Sequence, residues 1–146
     1  MKDETLPEAD RVEGAPHPRE TTDLIGQGAA EQAFLSAFAA DRLHHGWLIT
    51  GPQGLGKATL AWRIARFLLV TPDPVDDGGM FGAPPPPRSL SIAPDHPVMH
   101  RTRALSEPGL KLVRRAWDDK AKRLKTQLTV EEVRELKGFF ALSAAD

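Results

Sequence analysis

Gly51-Pro52-Gln53-Gly54-Leu55-Gly56-Lys57-Ala58-Thr59 fits the pattern G-x-x-x-x-G-K, and the reading of the whole chain turns on it. Glycines let a backbone turn sharply and aim successive N–H groups at an anion. The apolar run Gly46 to Thr50 precedes the loop and reads as a short buried strand by its length and flanks. Lys57 to Val70 follows with helical spacing, Leu60, Ile64, Phe67 and Leu68 on one stripe and Arg63 and Arg66 outside it. A helix starting at Lys57 brings free N–H donors and a positive dipole end to the loop. The Lys57 ammonium is a compact charge suited to terminal phosphates. The alternative is a plain glycine turn. The strand before and the helix after favour a phosphate-binding strand–loop–helix over residues 46–70.

One position departs from the pattern. The residue after the lysine is normally Ser or Thr, whose hydroxyl ligates Mg²⁺; here it is Ala58. Thr59 lies about 100° further round the helix and is no simple replacement. The loop is therefore expected to hold ATP or ADP weakly, to bind Mg²⁺ poorly, and to support little or no hydrolysis. An apolar strand ending in an acid is not seen between Leu110 and Asp146, and Asp118-Asp119 reads as surface. No residue is assigned a catalytic role.

Further out, the chain has 146 residues, 40% apolar and 27% charged, the usage of one soluble globular domain. A net charge of −1 excludes a wholesale basic coat for nucleic acid. The absence of cysteine excludes disulfides, thiolate zinc sites and cysteine nucleophiles. Residues 1–20, acidic and broken by Pro7, Pro16 and Pro18, read as a flexible arm with no signal-peptide core. Apolar runs such as Phe67 to Val70 fall far below the ~20 residues of a membrane helix. A cytoplasmic protein with no membrane partner is expected.

Ala29 to Arg42 reads as an amphipathic helix through Ala30, Ala33, Phe34, Ala37 and Phe38. Residues 71–97 form a Pro/Gly-rich loop whose Ala83 to Pro87 should be stiff and extended. That run reads as a spacer, with a ligand for an aromatic groove as the alternative. His96 to Ser106 suggests a short helical turn, Leu110 to Arg114 a second strand, and Thr129 with Glu132 the capping box of a last helix. Trp47 and Trp62 read as core. His44 and His45 read as strand entry rather than a metal pair, since adjacent residues point apart and no third ligand is near. Between residues 101 and 125 nine basic residues face three acidic ones, either a solvated loop or a patch for nucleic acid or a partner.

Leu24-Ile25-Gly26-Gln27, the helix after it, and Arg42-Leu43-His44-His45-Gly46-Trp47-Leu48-Ile49-Thr50-Gly51-Pro52 resemble the opening of bacterial DNA polymerase III clamp-loader subunits, the delta-prime family above all. The helix Leu128 to Leu136 is similar to one found further along those proteins. The resemblance spans residues 23–142. It implies an α/β fold, the parallel-sheet domain of AAA+ P-loop NTPases in its N-terminal part only, over residues 21–146. It places Ile25, Gly26 and Gln27 beside the adenine. It implies a mainly architectural stator of a DNA polymerase (nucleotidyltransferase) holoenzyme, with a degenerate ATP site. Its partners would be the other loader subunits and, through the complex, the sliding clamp and primed DNA. Many relatives carry a four-cysteine zinc module where residues 71–97 stand, so no zinc is expected here. In that family's sheet the two strands are not neighbours, so exposed sheet edges are expected. Two other readings stay open: a working AAA+ ATPase, and a nucleic-acid-binding module built on the basic stretch.

Overall fold

The computed structural model describes residues 6–71 and 85–143. Among these, the helices are α1 Gly28–Ala39, α2 Lys57–Val70, α3 Pro97–Arg103 and α4 Val130–Ser143. A short antiparallel ladder pairs β1 Trp117–Asp118 with β2 Arg123–Leu124, Trp117 opposite Leu124. Residues 72–84 of the 71–97 loop, including the start of its proline run, lie outside the described residues.

α2 covers the span its spacing predicts. α1 stops at Ala39, short of Arg42. Asp41 takes a left-handed φ of 49°, Arg42 N–H bonds the Ala37 carbonyl and Asp41 N–H that of Phe38. This doubly bonded ending satisfies the last carbonyls and turns the chain toward Leu43. α3 starts with Pro97 in its first turn, and the His96 ring accepts from Val98 N–H. At α4 the Glu132 carboxylate accepts from Thr129 N–H at 2.5 Å, the return half of the capping box, while the Thr129 hydroxyl donates to the same carboxylate instead of accepting from the Glu132 N–H.

The core lies between α1 and α2. Phe34, Leu35, Phe38, Leu60, Phe67 and Leu90 are buried together, with Leu24, Leu43, Ile49 and Ile64 packed around them. Phe67 meets Phe34 and Phe38 edge to face, at 6.1 and 5.0 Å. α2 is covered on a second side by α3, where Trp62, Val98 and Met99 are buried. The apolar stripe marks only the first of these faces. Hence Arg66, expected outside the packed stripe, is 1% exposed, and Leu68, expected on it, is exposed.

Residues 46–50 and 110–114 form no ladder with another described segment. Alternation is nevertheless kept at 47–49. Trp47 meets Phe34 at a tilt, with centroids 5.2 Å apart, and Ile49 packs against the core, while Leu48 between them is 88% exposed. Trp47 itself is only half covered. A strand without neighbours leaves one face and both edges open.

Residues 8–20 are tied to the body by charge. Glu8 contacts Arg11, Arg19 and Arg114 at 2.9, 2.7 and 3.0 Å, and Asp10 contacts Arg114 at 2.8 Å. His17 is fully buried. Its Nδ1 accepts from Arg19 N–H, and its Nε2 stands 3.1 Å from Asp10 but off the line of a hydrogen bond. Burial raises the Glu8 pKa, but hydrogen bonds from Arg19, Arg11 and Arg114 outweigh it and bring the value from 4.5 to about 2. At Glu132 the bond from Thr129 leads, and the pKa also falls to about 2. A carboxyl depressed on folding stabilises above its unfolded pKa and loses that contribution as pH falls to the folded one. Thermal stability should therefore decline between pH 4.5 and about 2 in wild type. Glu8→Gln should cost about 1 kcal/mol at pH 7 and nothing near pH 2, measured by thermal unfolding across pH.

Candidate functional site

The phosphate-loop residues are drawn into one tight turn. Gly51, Gly54 and Gly56 have φ of 144°, 86° and 82°, a backbone region that side chains disfavour. Pro52, Gln53 and Leu55 lie on the surface between them. Gly56 is the N-cap of α2. The first helical bond runs from Leu60 N–H to the Gly56 carbonyl. The N–H groups of Lys57, Ala58 and Thr59 precede it and remain as donors at the loop. Lys57 folds back, its Nζ donating to the Pro52 carbonyl at 2.5 Å, so the ammonium stands over the turn.

The two residues after Lys57 divide as helix geometry requires. Ala58 is exposed at the loop, and Thr59 is 8% exposed on the packed side of α2. The threonine hydroxyl therefore belongs to the helix's inner face. A metal at the loop would find a methyl group where an oxygen usually stands.

The proposed adenine-side residues adjoin the turn. Ile25 is 91% exposed, Gly26 has a φ of 77°, and Gln27 caps α1. The link is Leu24. A Cβ placed on Gly56 would come within 2.5 Å of Leu24 Cδ1, so these two segments touch. Sequence reading did not find this contact, because nothing local to either segment signals it. Cavities of about 290, 220 and 200 Å³ lie beside Glu8 and Trp117, beside Arg63 and Arg66, and beside Trp62 and Thr102. The loop is an open surface by comparison.

About half of the basic stretch is neutralised within the chain. Arg101 pairs with Glu107, Lys111 with Glu135, Arg114 with Glu8 and Asp10, and Lys125 with Glu132. Lys120 and Arg123 are left on the surface of the hairpin. Asp118 shapes its turn by accepting from Lys120 and Ala121 N–H groups, which hold its carboxyl below the usual range. The rings of His44 and His45 stack at 4.3 Å rather than pointing apart. Among the described residues no three His, Asp or Glu side chains are placed to hold a metal, and no helix is long and apolar enough to cross a membrane.

No family model matches the chain, and no solved structure matches it. DNA polymerase III subunit gamma of Buchnera aphidicola subsp. Schizaphis graminum (strain Sg) is 37% identical over 51 residues, 35% of this chain and 14% of that protein. DNA polymerase III subunit gamma of Buchnera aphidicola subsp. Acyrthosiphon pisum (strain APS) gives the same figures. The chain thus matches about one seventh of the length of these curated relatives. The similarity is to a DNA polymerase III subunit, named gamma in both cases rather than delta-prime.

Substitution at the glycines should separate strain from collision. Gly54→Ala meets open space and should cost about 1 kcal/mol for its left-handed backbone. Gly56→Ala adds the collision with Leu24 and should cost about 2–3 kcal/mol. Combining it with Leu24→Ala should recover part of that extra cost, a non-additivity visible in a double-mutant cycle of thermal unfolding.

Proposed function

We propose that this chain is part of a clamp-loader subunit of a bacterial DNA polymerase III, with the architecture of an AAA+ P-loop domain. Its role is that of a delta-prime-like stator in the cytoplasm, holding a nucleotide site that grips phosphate and handles Mg²⁺ poorly. Gly51 to Thr59 hold the phosphates, and Ile25, Gly26 and Gln27 flank the base. The observation that carries this reading is the turn from Gly51 to Gly56 feeding a helix at Lys57, with Ala58 exposed at the metal position and Thr59 turned inward. The similarity to DNA polymerase III gamma subunits supports the wider assignment. In this role the chain works with other loader subunits and, through the complex, with the sliding clamp and primed DNA. Zinc has no part in it. The ion pairs that consume Arg101, Lys111, Arg114 and Lys125 weigh against a nucleic-acid-binding module.

Residue 58 separates the stator from a working AAA+ ATPase. Calorimetric titration of the full subunit with ATP and ADP should give weak binding that Mg²⁺ changes little, and turnover should stay near background. Ala58→Ser should make ATP binding Mg²⁺-dependent. Lys57→Ala should weaken nucleotide binding about tenfold or more, the value of one charge-assisted contact. Wild-type turnover at the rate of an ordinary clamp-loader motor would refute the stator reading.

A further inference from the structure

α2 carries a second pair of cationic groups well away from the loop. Arg63 and Arg66 lie six and nine residues beyond Lys57, about 9 and 14 Å along the helix axis. Arg63 is neutralised and held, with Nε on Glu31 at 2.7 Å, Nη1 on the Thr22 carbonyl and Nη2 on Ser91 Oγ at 3.3 Å. Arg66 is buried and donates only to neutral oxygens, Thr102 Oγ1 at 2.9 Å and the Arg19 carbonyl, with Trp62 under its guanidinium. Among the described residues no carboxylate lies within 4 Å of Arg66 or Arg103. Arg103 adds to the imbalance, its Nε buried with no acceptor. Burial and the field of Arg103 push the Arg66 pKa down. A guanidinium nevertheless stays charged in proteins, so the excess charge persists. Desolvating a cation without a counter-charge is costly.

A cavity of about 220 Å³ opens at this point, lined by Arg63, Arg66, Thr22, Ser91, Leu90 and Met99. At about 30 Å³ per water, it holds a phosphate-sized ion with a few waters. It is smaller than the roughly 300 Å³ at which drug-sized sites begin. Ser91 Oγ accepts from Arg63, which leaves its own proton free to donate into the cavity. Asp23 also lines it, is exposed, and makes no ion pair with either arginine.

We propose that this cavity between α2 and the Ser89–Pro94 segment binds a small oxyanion, with Arg66 supplying the uncompensated charge and Arg63 and the Ser91 hydroxyl the directional donors. The site is independent of the phosphate loop and of the nucleotide reading.

The test uses the full chain carrying Lys57→Ala, so that the loop does not contribute. Inorganic phosphate is titrated while the side-chain Nε–Hε resonances of Arg63 and Arg66 are followed, against sodium chloride at matched ionic strength. Both resonances should shift saturably with phosphate. Ser91→Ala should weaken the phosphate Kd severalfold, Asp23→Asn should tighten it severalfold, and Arg66→Gln should abolish it. Parallel titrations with sulfate and acetate identify the source. Saturation by sulfate but not acetate assigns a phosphoryl or free phosphate ligand, and saturation by acetate as well assigns a carboxylate-bearing one. Shifts that track ionic strength as chloride does overturn the proposal. So does a phosphate Kd unmoved by both Asp23→Asn and Ser91→Ala, exposed positions whose variants do not depend on burying Gln in place of Arg66.

Discussion

The edge-to-face lock of Phe67 against Phe34 and Phe38 fixes α2 on α1, and the rest of the arrangement hangs from it. Each of these rings, fully buried, contributes on the order of 2–3 kcal/mol. With α2 fixed, its first turn and therefore the position of Lys57 are fixed. With α1 fixed, Gln27 at its cap and Leu24 just before it are fixed too. Leu24 then closes on Gly56, where only hydrogen leaves room. Two segments about thirty residues apart in sequence are thus held in contact by a core against which Leu24 itself packs.

Charge is handled by a different rule on each side of α2. Toward residues 8–20 and α4, positive and negative groups are matched, and Glu8 alone serves three arginines. Matching at partly buried positions offsets the desolvation of these groups and fixes long-range placement, as Arg114 does in reaching back to Glu8 and Asp10. Between α2 and α3 the matching stops. Among the described residues Arg66 and Arg103 make no ion pair, and Thr102 and a backbone carbonyl are the oxygens that Arg66 finds. α2 is packed on two sides and open on a third, where Ala58, Ala61 and Leu68 are exposed, and Arg66 falls on the side covered by α3 while Arg63 reaches Glu31 on α1.

Local features were legible in the sequence, and relations between distant segments were not. The span of α2, the glycine turn and the Thr129–Glu132 cap depend on residues within a few positions of one another, and periodicity or spacing displays them. The early stop of α1 came from Asp41 in a left-handed conformation, a cost that no glycine or proline advertises. Burial of Arg66 was hidden because an apolar stripe reports one packed face, and α2 has two. The docking of residues 8–20 was hidden as well. Composition there is polar and proline-broken, and the partner that binds Glu8 and Asp10 lies over one hundred residues away.

In the proposed reading, one substitution at the loop divides binding from chemistry. On that reading, phosphate recognition would use backbone N–H groups and one ammonium, and neither depends on the side chain at position 58. Metal placement depends on that side chain almost wholly, since an octahedral Mg²⁺ shell tolerates few errors in ligand position. Ala58 keeps the helix start, being the best helix former, and removes only the oxygen. Thr59 cannot supply one without rotating α2 by about 100°, which would carry Phe67 out of the aromatic lock and Leu60 out of the core. The same packing that holds the Gly51–Gly56 turn at the surface therefore keeps the Thr59 hydroxyl on the inner face of α2.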